Sequence, residues 1–97
     1  MYANVRSRNF KPRMVPEVAK RIEGGVIPII NKIPGFVSFT LAQTSPNRIT
    51  IMGVCETEEA AKEAGPKAIA WVDQNCSDLV DGPPDVTNGP ILVYHHK

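Results

Sequence analysis

The chain has 97 residues, 42% hydrophobic and 22% charged, with a formal net charge of +1, proportions that fit one globular domain over residues 1–97. No apolar run approaches the roughly 18 residues of a membrane span, and so small a net charge offers no general field for a phosphate backbone. Bilayer insertion and nucleic-acid binding are therefore excluded as expectations. The start, MYANVRSRNFKPR, lacks the apolar core and small-residue cleavage site of a secretory signal, so cytoplasmic residence is expected.

Residues 2–8 alternate Ala3, Val5 and Ser7 against Tyr2, Asn4, Arg6 and Arg8, which predicts a first strand. Between about residues 14 and 33, Val15, Val18, Ile22, Val26, Ile29 and Ile33 step by three or four and line one stripe of a helix. Pro28 cannot donate a backbone hydrogen bond and its ring presses on the carbonyl of Gly24, so a kink near Gly24-Gly25 is predicted. Pro12 and Pro16 suit the start of that helix, where amides have no partner anyway.

Pro34-Gly35 ends the helix, and residues 36–43 read as a second strand, with Val37, Phe39 and Leu41 on one face and Phe36, Ser38, Thr40 and Ala42 on the other. Thr44-Ser-Pro-Asn47 is turn chemistry. Residues 48–56 make a third strand, with Ile49, Ile51, Gly53 and Cys55 alternating with Thr50, Met52 and Val54. Thr57 is placed to cap a second helix, with Glu58 and Glu59 where the helix dipole favours negative charge. Gly65-Pro66 is expected to bend or break that helix before a stripe from Ala68 to Leu79 resumes. An Asp-, Gly- and Pro-rich loop over 81–90 should then lead to a last strand over 91–96, with Ile91, Val93 and His95 opposite Leu92, Tyr94 and His96.

The order βαββαβ predicts an α+β, ferredoxin-like antiparallel sheet with two helices on one face. The other face would present Ile, Val, Phe and Met without cover, and an apolar face of that size marks an interface. A lone chain of this size buries only roughly 64% of its unfolded surface, so a homodimer is expected. Residues 1–33 carry seven Lys/Arg against two Glu, and residues 34–97 carry four against eight acids, which predicts complementary pairing within or between chains. Cys55 and Cys76 lie 21 apart with no CxxC or His cluster, so reduced, partly buried thiols are expected.

Four segments carry a resemblance to a known family. These are IPGF at Ile33–Phe36, GVCETEEAAKEA at Gly53–Ala64, AIAWVDQNCSDL at Ala68–Leu79, and PPDVTNGPILV at Pro83–Val93. In order and spacing they resemble the antibiotic-biosynthesis-monooxygenase-like proteins of the dimeric α+β barrel superfamily. That resemblance implies two βαββαβ sheets packed face to face. It also implies one of several roles, since the family includes cofactor-independent oxygenases of aromatic polyketides, haem-degrading enzymes and members with no known activity.

The resemblance singles out Trp71, because the family's oxygenases and haem degraders place a Trp on helix two against the cleft between helices and sheet. A packed core anchor is the competing reading of the same indole. Haem degraders also use a strand-one Asn and a helix-two His. Asn4 answers the first, but no His lies between Thr57 and Leu79. The parity of Asn4 and Arg6 with Tyr2 leaves open whether they face the cleft or the dimer barrel.

Phe39 and Met52 are expected to line a ligand cleft with Trp71. Arg6 or His95 would hold a substrate anion, and Tyr94 would orient its ring. His95 and His96 are adjacent in a strand and point to opposite faces, so no metal site is expected. The functional expectation is a homodimer that binds a small, flat, apolar aromatic molecule and oxidises it with O2, using no cofactor and with Trp71 and His95 catalytic. The alternative is a non-catalytic dimeric binding or stress-associated module.

Overall fold

A computed structural model describes residues 1–97 and has the order β1 (Tyr2–Asn9), α1 (Val15–Ile30), β2 (Phe36–Ser45), β3 (Arg48–Cys55), α2 (Glu58–Asn75) and β4 (Asp85–Pro90). The sheet runs β2-β3-β1-β4 and every neighbouring pair is antiparallel. This is the α+β, ferredoxin-like arrangement read from the sequence. No helix is long and apolar enough to cross a membrane.

The core lies between one face of the sheet and the two helices. Val15, Val18, Ile22, Val26 and Ile30 form the buried stripe of α1, meeting Ile49, Ile51 and Cys55 from β3 and Ala60, Ala61, Ala68 and Val72 from α2. The expected stripe drifts by one residue at its end, because α1 stops at Ile30. Ile30 is buried where Ile29 is exposed, and Ile33 is buried from the following turn. Neither proline interrupts its helix: α1 continues through Gly24-Gly25 and Pro28, and α2 through Gly65-Pro66. Tertiary packing of the apolar stripes outweighs the lost hydrogen bonds.

Thr57 caps α2 as expected, its Oγ1 accepting from the Ala60 amide at 3.2 Å. Gly35 takes φ +89° in the turn before β2, a left-handed conformation natural to glycine, and its carbonyl accepts from the Glu56 amide at 2.7 Å.

Two strand expectations are corrected. A bulge between Phe36 and Ser38 inserts one residue and shifts the alternation, so Phe36 packs with Phe39 and Leu41 against the core while Val37 is exposed. The last strand is Asp85–Pro90, not residues 91–96. It pairs with β1 from Ser7↔Asp85 to Tyr2↔Pro90, and as an edge strand it tolerates the Gly and Pro that read as a loop. β1 begins at Tyr2, so beyond Ile91, whose amide donates to the Met1 carbonyl at 2.9 Å, no backbone remains opposite.

The uncovered face follows from the registers. Ala3, Val5 and Ser7 lie beside Val54, Met52 and Thr50, and these beside Ser38, Thr40 and Ala42. It therefore mixes apolar side chains with hydroxyls and holds no Phe. Ser7 and Thr50 hydroxyls lie 2.9 Å apart on it. The uneven charge resolves partly within the chain: Arg8 pairs with Asp73 at 2.7 Å and Arg21 with Asp78 at 3.1 Å, each joining the basic first third to the acidic remainder.

Candidate anion-binding cleft

The even-numbered side chains of β1 point toward the helices. Asn4 and Arg6 are buried, at 7% and 8% exposure, beneath the small-residue face of α2. A Cβ added at Gly65 would lie 2.8 Å from Asn4 Nδ2, so glycine at that position lets helix and strand approach over the Asn4 amide. The sequence left the direction of Asn4 and Arg6 open, and it is the helix side.

Three chambers meet around these residues. Asn4, Arg6, Phe36, Phe39 and Cys55 border one of only about 10 Å³ under Ala61 and Gly65. Arg6, Phe10, Ile51, Ile69 and Val72 border a second of about 30 Å³. The third, the largest of the three at about 160 Å³, lies between Tyr2, Asn4, Lys62, Ile69, Val86 and Asn88. Arg6 lines the first two, Asn4 the first and third, and Ile69 the second and third.

A relay of side chains holds the arginine. Asn88 Oδ1 accepts from Asn4 Nδ2, and Asn4 Oδ1 accepts from Arg6 Nη1 at 2.5 Å. The Arg6 guanidinium carbon lies 5.9 Å from the Phe39 ring centroid, within cation–π range. Arg6 makes no ion pair, unlike Arg8, Arg21 and Arg48. Burial without a countercharge pushes its guanidinium down to about 10.

No side-chain nitrogen or oxygen is both shut from accessible space and unpartnered. The guanidinium nitrogens beyond the Asn4 bond therefore keep some accessible surface. No Asp or Glu lines any of the three, whereas Arg6, Arg8 and Lys62 do. Such a site favours an anionic oxygen attached to an apolar body. Cys55 borders it with its thiol pushed up by burial, hence protonated at neutral pH.

The other expected site residues lie elsewhere. Trp71 is partly buried on the seam between the helices, so close to Gly25 that a Cβ there would fall within the indole. It borders none of the chambers. The glycine pair read as a kink is thus a seat for Trp71 at its second residue, while Gly24 has open space beside it. Met52 is on the uncovered face, 44% exposed. Tyr94 and His95 are exposed beyond β4, so neither joins Arg6. Only Asn4, Arg6 and Phe39 are brought together.

Sequence reasoning missed Tyr2, Ile69 and Asn88. Tyr2 shares the parity of Asn4, a usable signal. Asn88 had none, since its segment read as a loop. No cluster of three or more His, Cys, Asp or Glu side chains forms anywhere in the chain.

No family model and no curated protein matches the sequence. Solved structures do match in fold. A protein of unknown function from Nitrosomonas europaea is 16% identical with a TM-score of 0.81, covering 99% of this chain and 93% of its own. A monooxygenase of Streptomyces coelicolor, solved with nanaomycin D, is 23% identical with a TM-score of 0.73 over 96% of this chain and 92% of its own. SnoaB, a cofactor-independent oxygenase from Streptomyces nogalater, is 14% identical with a TM-score of 0.72 over 96% and 94%. Others are assigned as antibiotic biosynthesis monooxygenases. The chain thus has the α+β fold of the antibiotic-biosynthesis-monooxygenase-like proteins.

Proposed function

We propose that the protein binds a small, flat, largely apolar aromatic molecule under α2, with a phenolic oxygen held as its anion by Arg6, and oxidises it with O2. The observation that carries this reading is Arg6: a guanidinium buried beside apolar chambers with no carboxylate partner. A phenolate would supply the missing charge and accept its free N–H groups. Nanaomycin D in the Streptomyces coelicolor enzyme and the cofactor-independent reaction of SnoaB supply the substrate class and chemistry by analogy of fold.

For an anthrone-type substrate the balance is ArCH2 plus O2 giving ArC=O plus water. The ionised substrate passes an electron to O2, and radical recombination forms a carbon–peroxide bond. Loss of the second C–H proton with O–O cleavage then releases water and leaves the carbonyl. The role assigned to the protein is to favour the ionised substrate, since a cation beside the oxygen lowers its pKa. No carboxylate or imidazole borders the chambers, so the substrate must be acidic enough to ionise with Arg6 alone.

The uncovered sheet face, with Val5, Met52 and Thr40 abreast, supports a homodimer closed face to face. Oxygen uptake with a panel of anthrones and phenols tests the reaction, and is expected to fall at least tenfold in Arg6→Met. A second reading, a dimeric binder without catalysis, is favoured by the position of Trp71 away from the chambers. Saturable phenol binding with no oxygen uptake across the panel would select it.

A further inference from the structure

The largest chamber of the cleft has on its wall an amide whose donor finds no partner in the chain. Asn88 lies opposite Asn4 in the β1–β4 ladder, so the two side chains rise on the same, helix-facing side. Asn88 is exposed on β4 and borders the chamber of about 160 Å³ with Ile69 and Val86.

The direction of the Asn88–Asn4–Arg6 relay is forced from its buried end. A guanidinium can only donate, so the Asn4 atom that meets Arg6 Nη1 is Oδ1. Asn4 Nδ2 is then left to face Asn88, and a donor there requires an acceptor, Asn88 Oδ1. Gly65 passes so close above that an added Cβ would lie 2.8 Å from Asn4 Nδ2, which keeps the Asn4 amide from turning over. The last polar atom of the relay is Asn88 Nδ2. It makes no hydrogen bond within the chain, and it can only donate.

Two donors therefore serve one cleft, Arg6 at its buried end and the Asn88 amide nitrogen on its wall, with a single amide between them. No Asp or Glu borders the chamber to accept from Asn88. The chamber is close in size to a cavity of roughly 150 Å³ that holds benzene, so it encloses one aromatic ring. Lys62 and Val86 on its border are exposed, which leaves further rings room outside.

We infer that Asn88 is a specificity-determining residue whose amide nitrogen donates to a second oxygen on the ligand, one that accepts and does not donate. The substrate class narrows to hydroxyaryl carbonyl compounds, with the phenolic oxygen on Arg6 and the carbonyl oxygen on Asn88. A phenol carrying an alkyl group at that place strips water from the amide and returns no hydrogen bond.

This inference rests on the reading of Arg6 as the phenolate site, and one set of calorimetric titrations separates the two. The probes are 4-hydroxyacetophenone and 4-ethylphenol, alike in length, one with a carbonyl and one without. Each is titrated into wild type, Asn88→Ala and Asn88→Asp. The aspartate keeps an acceptor for Asn4 but puts an oxygen where the donor stood. Any effect passed through Asn4 to Arg6 falls on both phenols alike, so the readout is the ratio of their affinities. Preference for the ketone is expected to fall about three- to tenfold in Asn88→Ala, the range of one neutral hydrogen bond, and at least as far in Asn88→Asp. An unchanged ratio in both variants, even with both affinities lowered, makes Asn88 a support for Arg6 and overturns the inference alone. A wild-type protein that binds neither phenol overturns the inference together with the phenolate site.

Discussion

Arg6 is costly where it stands. A guanidinium buried without a carboxylate forgoes hydration that one bond to Asn4 and the Phe39 ring replace only in part. Replacing an uncompensated buried charge by an apolar side chain of similar length should stabilise a protein, by about 1–2 kcal/mol. Arg6→Met is thus expected to raise the urea midpoint, where most core substitutions lower it, while weakening phenol binding. A loss of stability would mean that the Asn88–Asn4–Arg6 relay is structural.

The lowered guanidinium pKa, about 10, also fixes a pH dependence. Affinity for a phenol should rise as the phenol ionises and fall once pH passes about 10, as Arg6 loses its charge. Fluorescence titrations across that range would test it, and affinity still climbing well above pH 10 would contradict it. The sign for stability is the opposite: a cation whose folded pKa is depressed weakens the fold while charged, so its cost is relieved only as pH rises through 10. The competing roles of Trp71 separate in the same way. Gly25→Ala should cost about 1–3 kcal/mol through overpacking, partly relieved in a double mutant with Trp71→Phe. Trp71→Phe alone should leave phenol affinity unchanged.

Among the elements, periodicity identified β1, β3 and both helices, because each buries one regular stripe against one partner. It failed where a single residue resets the period or where pairing outweighs composition. The bulge at Val37 exchanged the faces of Phe36 and Val37, and no local pattern announces a bulge. Asp85–Pro90 became a strand because β1 offers it a ladder, a long-range fact that its Gly and Pro conceal. The direction of Arg6 was hidden for a related reason: apolar Ala3 and Val5 looked like the core row, yet the polar row lies under α2. The cap at Thr57 was fully local and fully legible. Thr57→Ala should lower stability by about 1 kcal/mol, read by thermal unfolding, without altering ligand binding.

At the scale of the whole molecule, the proposed homodimer would be closed by the mixed face around Val5, Met52 and Thr40. Met52→Lys should break the face-to-face dimer, since burying an unpaired ammonium in the seam is strongly unfavourable, and sedimentation should then report monomers that keep their helical circular dichroism. What such an assembly would shelter is the cleft under α2, so its ligand is the central question. Calorimetric titration of the wild-type protein and Arg6→Met with the same hydroxylated anthrone tests this most directly. The account predicts saturable binding to wild type and at least tenfold weaker binding to the variant, whereas equal affinity for both, or none for wild type, would contradict it.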